Sequence, residues 1–259
     1  LSMGASVVLT TAEQSRTPQQ LAKLIQQNSV TVMQATPGGW QQLLESGWEA
    51  PHKMTLLSGG EAMSSSLATK LLPQSERLVN VYGPTEATIW ASCKTIKHAD
   101  QISLGLPLKH YQHYVLNESL QIQANGTAGQ LAISGPGLAN VYFDQESLTN
   151  ERFVVSQTLG RIYLTGDLAY KDDHGELHYL GRADDQIKWR GYRIELGEVA
   201  ESVERLEHVV MAYCDLLDDQ LVCFYTLNKQ RTDNVDLRQH PELAAWLPSY
   251  MLPSQFLVL

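Results

Sequence analysis

Leu78-Val79-Asn80-Val81-Tyr82-Gly83-Pro84-Thr85-Glu86 is the stretch on which the reading of this chain turns. Leu78–Val81 is a short apolar, β-branched run with the signature of a buried strand. Gly83-Pro84 then forces a tight turn and lets backbone approach a ligand. In parallel α/β sheets ligands bind beyond the carboxyl ends of strands, which is where Tyr82–Glu86 falls. Tyr82 offers a flat face to a purine, Thr85 a hydroxyl to a phosphate, and Glu86 a hard oxygen to Mg²⁺. A plain turn followed by a helix-opening Thr and Glu accounts for the pentapeptide equally well.

Working upstream, strand and helix signals alternate over residues 6–81. Val7–Leu9 reads as a short buried strand. Thr17-Pro18 opens a helix, with Leu21, Leu24 and Ile25 at helical spacing. Val30–Met33 is strand-like, Gly39–Leu44 begins a helix, and the strand Thr55–Leu57 runs into Ser58-Gly59-Gly60. Ser64 caps a helix carrying Leu67, Leu71 and Leu72. The alternation predicts a largely parallel sheet covered by helices.

Downstream, residues 100–180 are punctuated by glycine and proline between short strands such as Gln130–Ile133, which predicts a small antiparallel barrel or sheet. Ala169–Tyr179 reads as a hairpin turning at Asp172–Gly175. Beyond Gly181 follow a charged, glycine-rich segment, a helix over Glu198–Leu206, strands at Val209–Ala212 and Leu221–Tyr225, and a helix over Pro241–Trp246. The expected fold class is α/β: a parallel α/β subdomain (1–99), a β-barrel-like subdomain (100–183) and a small α+β domain (184–259), with the boundary at Asp184.

With 259 residues, 43% of them hydrophobic and 18% charged, the chain has the composition of a globular protein with a sizeable core. A formal net charge of −9 argues against nucleic acid as a main ligand. It leaves room for a small anionic nucleotide. Cys93, Cys214 and Cys223 read as thiols of a reducing compartment, hence a cytoplasmic setting. No apolar run approaches the roughly 20 residues of a membrane span, and the eight histidines lack zinc-site spacing. The abrupt ends at Leu1 and Leu259 read as those of a fragment.

Three further segments carry chemistry. Gly59-Gly60 follows a predicted strand and allows a planar ring to lie against backbone; a simple loop is the blander reading. Asp167, in Thr165-Gly166-Asp167, can accept both hydroxyls of a ribose, although Thr-Gly-Asp alone is commonly a turn. Arg182, Lys188, Arg190 and Arg193 crowd a loop punctuated by Gly181, Gly191 and Gly197. In an acidic chain that suggests contact with a mobile anion, or else a solvated loop paired with Asp184, Asp185, Glu195 and Glu198.

Taken together and in order, these segments resemble the adenylation domains of nonribosomal peptide synthetases, within the acyl-adenylate-forming superfamily. Asn80–Glu86 is similar to that family's Asn-x-Tyr-Gly-Pro-Thr-Glu, and Tyr163–Leu168 to its Tyr-x-Thr-Gly-Asp-Leu. Gly129–Ala139, Gly181–Glu198 and Leu247–Pro253 resemble three further motifs. The resemblance implies that Tyr82 stacks on adenine beside Asn80 and the Gly59-Gly60 backbone. It implies that Thr85 touches the α-phosphate, Glu86 holds Mg²⁺, and Asp167, with Arg182 nearby, binds the ribose. It makes Asp184 a hinge and brings Lys188 into the site for a second half-reaction. ATP and an amino acid would give an aminoacyl adenylate and pyrophosphate. The aminoacyl group would then pass to a phosphopantetheine thiol on a peptidyl carrier domain, with a condensation domain in the same synthetase.

The resemblance also places the family's phosphate loop and amino-group aspartate upstream of Leu1, and a catalytic lysine beyond Leu259, so the chain alone is expected to be inactive. Pocket positions carried over are Gln34, Leu57, Gly59, Val81, Ile89 and Trp90, a set similar to that of glycine-activating domains. Glycine offers no side chain to grip, so selection must exclude larger ones, and Trp90 with Leu57 and Gln34 has the bulk to do so. Two other readings stand beside this one: a stand-alone acyl or aryl acid–thiol ligase, and a non-catalytic module that binds nucleotide or a partner.

Overall fold

The structure, a computed structural model, describes residues 4–183, 186–218, 220–228, 237 and 240–259. The chain divides into two compact units, residues 1–183 and 184–259.

In the first unit, hydroxyl caps decide where helices begin. Thr11 accepts from the Gln14 N–H while the Gln14 side chain returns to the Thr11 N–H, a capping box that opens α1 (Ala12–Arg16). Helix α2 (Pro18–Gln27) starts on its proline, and Thr17 makes no side-chain cap bond. Its end explains why β1 covers Val32–Ala35 rather than the expected Val30–Met33. Ser29 turns left-handed (φ 49°) and the Val30 N–H closes on the Ile25 carbonyl, so Val30 finishes the helix instead of opening the strand. Thr36 caps α3 (Pro37–Glu45) through the Gly39 N–H, and Ser64 caps α4 (Ser65–Leu71) through the Leu67 N–H.

Between the helices run β2 (Met54–Gly59) and β3 (Ser75–Tyr82), followed by β4 (Ser92–Ile96) and β5 (Leu106–Pro107). They form one sheet in the order β1-β2-β3-β4-β5, the first three parallel and the last two antiparallel. Trp40, Leu43, Met54, Leu56, Leu71 and Leu78 pack into its core. Burying each such side chain stabilises the fold by about 1.5–3 kcal/mol. Trp40 also donates its indole N–H to the Leu57 carbonyl, 3.0 Å away. Val7–Leu9, expected as a buried strand, is irregular and Leu9 is 85% exposed. No described strand offers it a ladder, and apolar content alone does not make a strand without one.

The second sheet comprises β6 (Gln112–Leu116), β7 (Gly129–Ser134), β8 (Phe153–Ser156), β9 (Gly160–Lys171) and β10 (Leu177–Arg182), all antiparallel, with α5 (Glu146–Arg152) before β8. The order is β10-β9-β7-β6, and β8 also pairs with β9. The expected hairpin is present: Leu177 pairs with Lys171, and the Asp172 carboxylate accepts from the N–H groups of His174 and Glu176 inside the turn. Tyr82, Ala91, Leu131, Ile133, Ala169 and Leu177 share one apolar cluster that joins the end of β3 to this sheet.

In the second unit, β11 (Gln186–Trp189) and β12 (Tyr192–Glu195) form a hairpin leading into α6 (Leu196–Glu204). Strands β13 (Val209–Leu217), β14 (Gln220–Leu227) and β15 (Gln255–Val258) make a sheet, antiparallel then parallel, and α7 spans Pro241–Trp246 as its sequence predicts. Helix α6 starts earlier than the expected Glu198 and ends before Leu206, which packs into the core as the first residue past the C-terminal turn. Cys214 faces Cys223 across β13 and β14. Both are buried and reduced, and the neighbouring thiol followed by burial pushes the Cys214 thiol up. No described helix is long and apolar enough to cross a membrane.

Candidate active site

The loop that follows β3 is held by glycine geometry and backbone bonds. A Cβ on Gly83 would lie 2.4 Å from the Ile89 carbonyl oxygen, so only glycine fits. Thr85–Ala87 forms a 3-10 turn after Pro84. Thr88 and Ile89 then adopt left-handed backbone, φ 54° and 75°, a strained pair for non-glycine residues. The strain is held in place: the Thr88 hydroxyl donates to the Gly137 carbonyl at 2.6 Å, and the Ala91 N–H closes on the Tyr82 carbonyl at 2.8 Å.

Glu86 lies inside this turn and is buried. The Tyr142 hydroxyl donates to its carboxylate at 2.6 Å, and its own carbonyl accepts from the Ala139 N–H at 2.7 Å. Burial, followed by the bond to Glu86, keeps the Tyr142 phenol protonated by raising its pKa. Tyr142 also reaches the Tyr163 hydroxyl on β9, and Phe153 packs against both rings.

Asp167 stands four residues further along β9. Gly166 takes φ 76°, and the Thr165 hydroxyl, itself donating to the Leu131 carbonyl, accepts the Asp167 N–H. Arg182 is the register partner of Asp167 on β10 and donates to Oδ1 at 2.9 Å, with side-chain exposures of 8% and 2%. The same guanidinium nitrogen donates to the Thr165 carbonyl at 3.1 Å. Oδ2 accepts from the Tyr82 hydroxyl. Burial and the adjacent Asp167 push the Tyr82 phenol well above its ordinary value, so it remains a donor. Tyr82 and Asp167, 85 residues apart in sequence, are thus directly bonded, and Arg182 completes the group. Asn80 is buried one strand turn earlier, and its amide nitrogen donates to the Ser103 carbonyl at 2.8 Å.

Four of the expected pocket positions, Gln34, Leu57, Gly59 and Val81, share a sheet face. Gln34 pairs with Leu57 across β1 and β2, and Gly59 pairs with Val81 across β2 and β3. Paired residues point the same way, and alternation carries Leu57 and Gly59 to that same side. The Trp90 indole covers Gly59: a Cβ there would lie 2.8 Å from the ring and 2.5 Å from the Val81 carbonyl oxygen. Gly60 turns away with φ 92°. Ile89 is the outlier, 63% exposed at the tip of the strained pair. Lys188 is in the second unit, on β11, paired with Arg193. Asp184 lies outside the described residues.

Sequence reasoning singled out neither Tyr142, Ser103 nor Glu176, and met Tyr163 only as the first residue of the Tyr163–Leu168 segment, with no role assigned. Tyr142 follows closely on the quoted Gly129–Ala139 segment, which was its one available signal. The other three act through bonds to residues distant in sequence.

A sequence profile described as "AMP-binding enzyme" matches residues 1–143, more than half of the chain. This chain belongs to the AMP-binding enzyme family. Among curated relatives, the chain is 38% identical to the dimodular nonribosomal peptide synthase of Bacillus subtilis (strain 168), over 99% of the chain and 11% of that protein. It is 34% identical to gramicidin S synthase 2 of Aneurinibacillus migulanus, over 99% of the chain and 6% of that protein. The chain therefore spans about a tenth or less of the length of these relatives. Among solved structures, it is 39% identical to holo-AB3403, a four-domain nonribosomal peptide synthetase bound to AMP and glycine (TM-score 0.66, 96% of this chain and 19% of that one). It is 27% identical to holo-PA1221, a synthetase protein with adenylation and carrier domains (TM-score 0.80, 93% and 44%). The mixed α/β architecture is that of these neighbours.

Proposed function

We propose that this AMP-binding chain serves amino-acid adenylation in nonribosomal peptide synthesis, with glycine as substrate. The observation that carries the reading is the bonded group Tyr82, Asp167 and Arg182, with Glu86 and Tyr142 linked to the same strand through Tyr163.

In this reading ATP enters with its ribose diol on Asp167, which the Arg182 guanidinium holds in place. Adenine lies against Tyr82 and the Gly59-Gly60 backbone, with Asn80 at its edge. Thr85 donates to the α-phosphate. The substrate carboxylate attacks the α-phosphorus, the bond to the β-phosphate bridging oxygen breaks, and pyrophosphate leaves. Glu86, a buried carboxylate beside a Thr hydroxyl, is a hard-oxygen donor set that fits Mg²⁺, which would supply charge neutralisation of the phosphates. Gln34, Leu57, Val81, Ile89 and Trp90 would bound the space for the amino acid, where the bulk of the Trp90 indole beside Gly59 would exclude larger side chains. The glycine reading is supported by the AMP- and glycine-bound neighbour.

Residues 184–259 would then turn about Asp184, bringing Lys188 to the second half-reaction. There the aminoacyl group passes to the phosphopantetheine thiol of a peptidyl carrier domain, alongside a condensation domain. A neighbour that contains adenylation and carrier domains supports that partnership.

The deciding experiment is amino-acid-dependent ATP–pyrophosphate exchange by the natural polypeptide that carries this chain. Glycine is expected to give the strongest exchange; exchange driven by leucine or phenylalanine and not by glycine overturns the substrate assignment. Asp184→Pro is expected to reduce thioester formation more than exchange.

A further inference from the structure

Behind Asn80 lies a closed polar ring that the adenylation reading leaves unused. The Ser103 carbonyl, 2.8 Å from the Asn80 amide, can only accept a hydrogen bond, so the amide nitrogen must face it. This fixes which end of the side chain is which: the donor end is turned toward Ser103 and the acceptor oxygen is the opposite end. The Ser103 hydroxyl donates to Glu176 Oε2 at 2.9 Å and accepts from the Gly105 N–H at 3.1 Å. Glu176 Oε1 is ion-paired to Lys94, and Lys94 is the register partner of Asn80 across β3 and β4. The ring thus runs from Asn80 to Ser103, Glu176 and Lys94, and returns to Asn80 through the sheet.

The segment within this ring has little freedom. Gly105 is pressed onto β4, where a Cβ would lie 2.0 Å from the Cys93 carbonyl oxygen. The Leu104 N–H bonds the Leu177 carbonyl at 2.7 Å, and the Leu177 N–H bonds that of Gly105 at 3.2 Å. Lys94 and Ser103 hold Glu176 as a carboxylate by lowering its pKa. The Glu176 N–H is anchored on Asp172. Every link of the ring is therefore tied to a second element.

We propose that Glu176 and Ser103 are positioning residues that fix the amide of Asn80 with its acceptor outward, and so select a purine carrying a 6-amino donor over one carrying a 6-oxo group. This rests on the adenylation reading for the identity of the ligand, and on the ring alone for the orientation of Asn80. A freely rotating amide presents donor or acceptor as needed and reads neither; a locked one discriminates, because the wrong partner leaves a buried acceptor facing an acceptor.

The test compares AMP with inosine monophosphate, in which the 6-amino donor becomes a 6-oxo acceptor and N1 gains a proton, by titration calorimetry on the natural polypeptide. It also follows protection of the Asn80 side-chain amide by NMR in the chain itself. The wild type is expected to prefer AMP by at least about tenfold, one hydrogen bond's worth. Glu176→Gln, which keeps the shape and removes the ion pair, and Ser103→Ala, which breaks a different link, are each expected to bring the preference toward unity and to lose Asn80 protection. A scaffold role alone would weaken both nucleotides equally and leave their ratio unchanged. An unchanged ratio with protected Asn80 in both variants overturns the proposal. Loss of protection in a polypeptide that binds neither nucleotide retains the positioning role and overturns the adenylation reading instead.

Discussion

The two sides of the candidate site are built by opposite means. Around Asp167 everything is directional: Arg182 and Tyr82 each take one carboxylate oxygen, and Tyr142 holds Glu86. Around Gly59 the geometry comes from close packing, with Val81 backbone and the Trp90 ring occupying the space a side chain would need. A directional site fails when one partner is removed, because the other is left buried and charged. A packed site fails when an atom is added, and changes its selectivity when an atom is taken away.

The largest expected effect tests the directional side. Asp167→Ala leaves the Arg182 guanidinium buried without its carboxylate, and should cost about 3–5 kcal/mol in urea unfolding of the chain. A loss below 1 kcal/mol would show that the pair is not acting as a buried ion pair. Next is a polar group that has no directional partner. His113 on β6 is buried, and among the described residues neither ring nitrogen has a hydrogen-bond partner. Burial, then the nearby Lys171, lower its pKa from 6.5 to about 4. The unfolded chain therefore binds this proton first as pH falls. Stability should be full above pH 6.5 and decline by about 3 kcal/mol toward pH 4. Denaturant midpoints across that range should flatten in His113→Phe; an unaltered slope assigns the effect to other groups.

On the packed side, Gly59→Ala must displace backbone as well as the Trp90 ring, and should cost about 1–3 kcal/mol. Adding Trp90→Ala should recover only part of that loss, because the Val81 carbonyl oxygen remains in the way. Full recovery would mean the indole alone sets the limit. In exchange assays the proposed glycine selectivity predicts that Trp90→Ala raises the activity with larger amino acids relative to glycine by at least about tenfold. The smallest effect separates two threonines at helix starts in the first unit. Thr36→Ala removes a formed cap and should cost about 1 kcal/mol, while Thr17→Ala, with no cap bond to lose, should stay within about 0.5 kcal/mol in thermal unfolding.

Much of this was legible from local chemistry. Pro18, Ser64 and Pro241 place helix starts because a cap or a fixed φ acts over one turn, and Asp172–Gly175 places a hairpin for the same reason, whereas α3, expected from Gly39, starts at Pro37 on the Thr36 cap. Tyr82, Asp167 and Arg182 could be nominated individually, since each sits beside a glycine that bends its strand. Their mutual bonding could not, because it depends on how β3 meets the second sheet. Val7–Leu9 misled because strand formation needs a partner that composition does not reveal. Tyr142, Ser103 and Glu176 stayed hidden since their roles arise from contacts between segments far apart in the chain.

One consequence follows from where the sulfur atoms lie. Cys214 and Cys223 are shut inside the second unit, while Cys93 is half-buried and is the rung partner of Val81. A maleimide dye added to the native protein should therefore label a single position, beside the face that carries Gly59. Its fluorescence would report occupancy of that face without a single engineered residue.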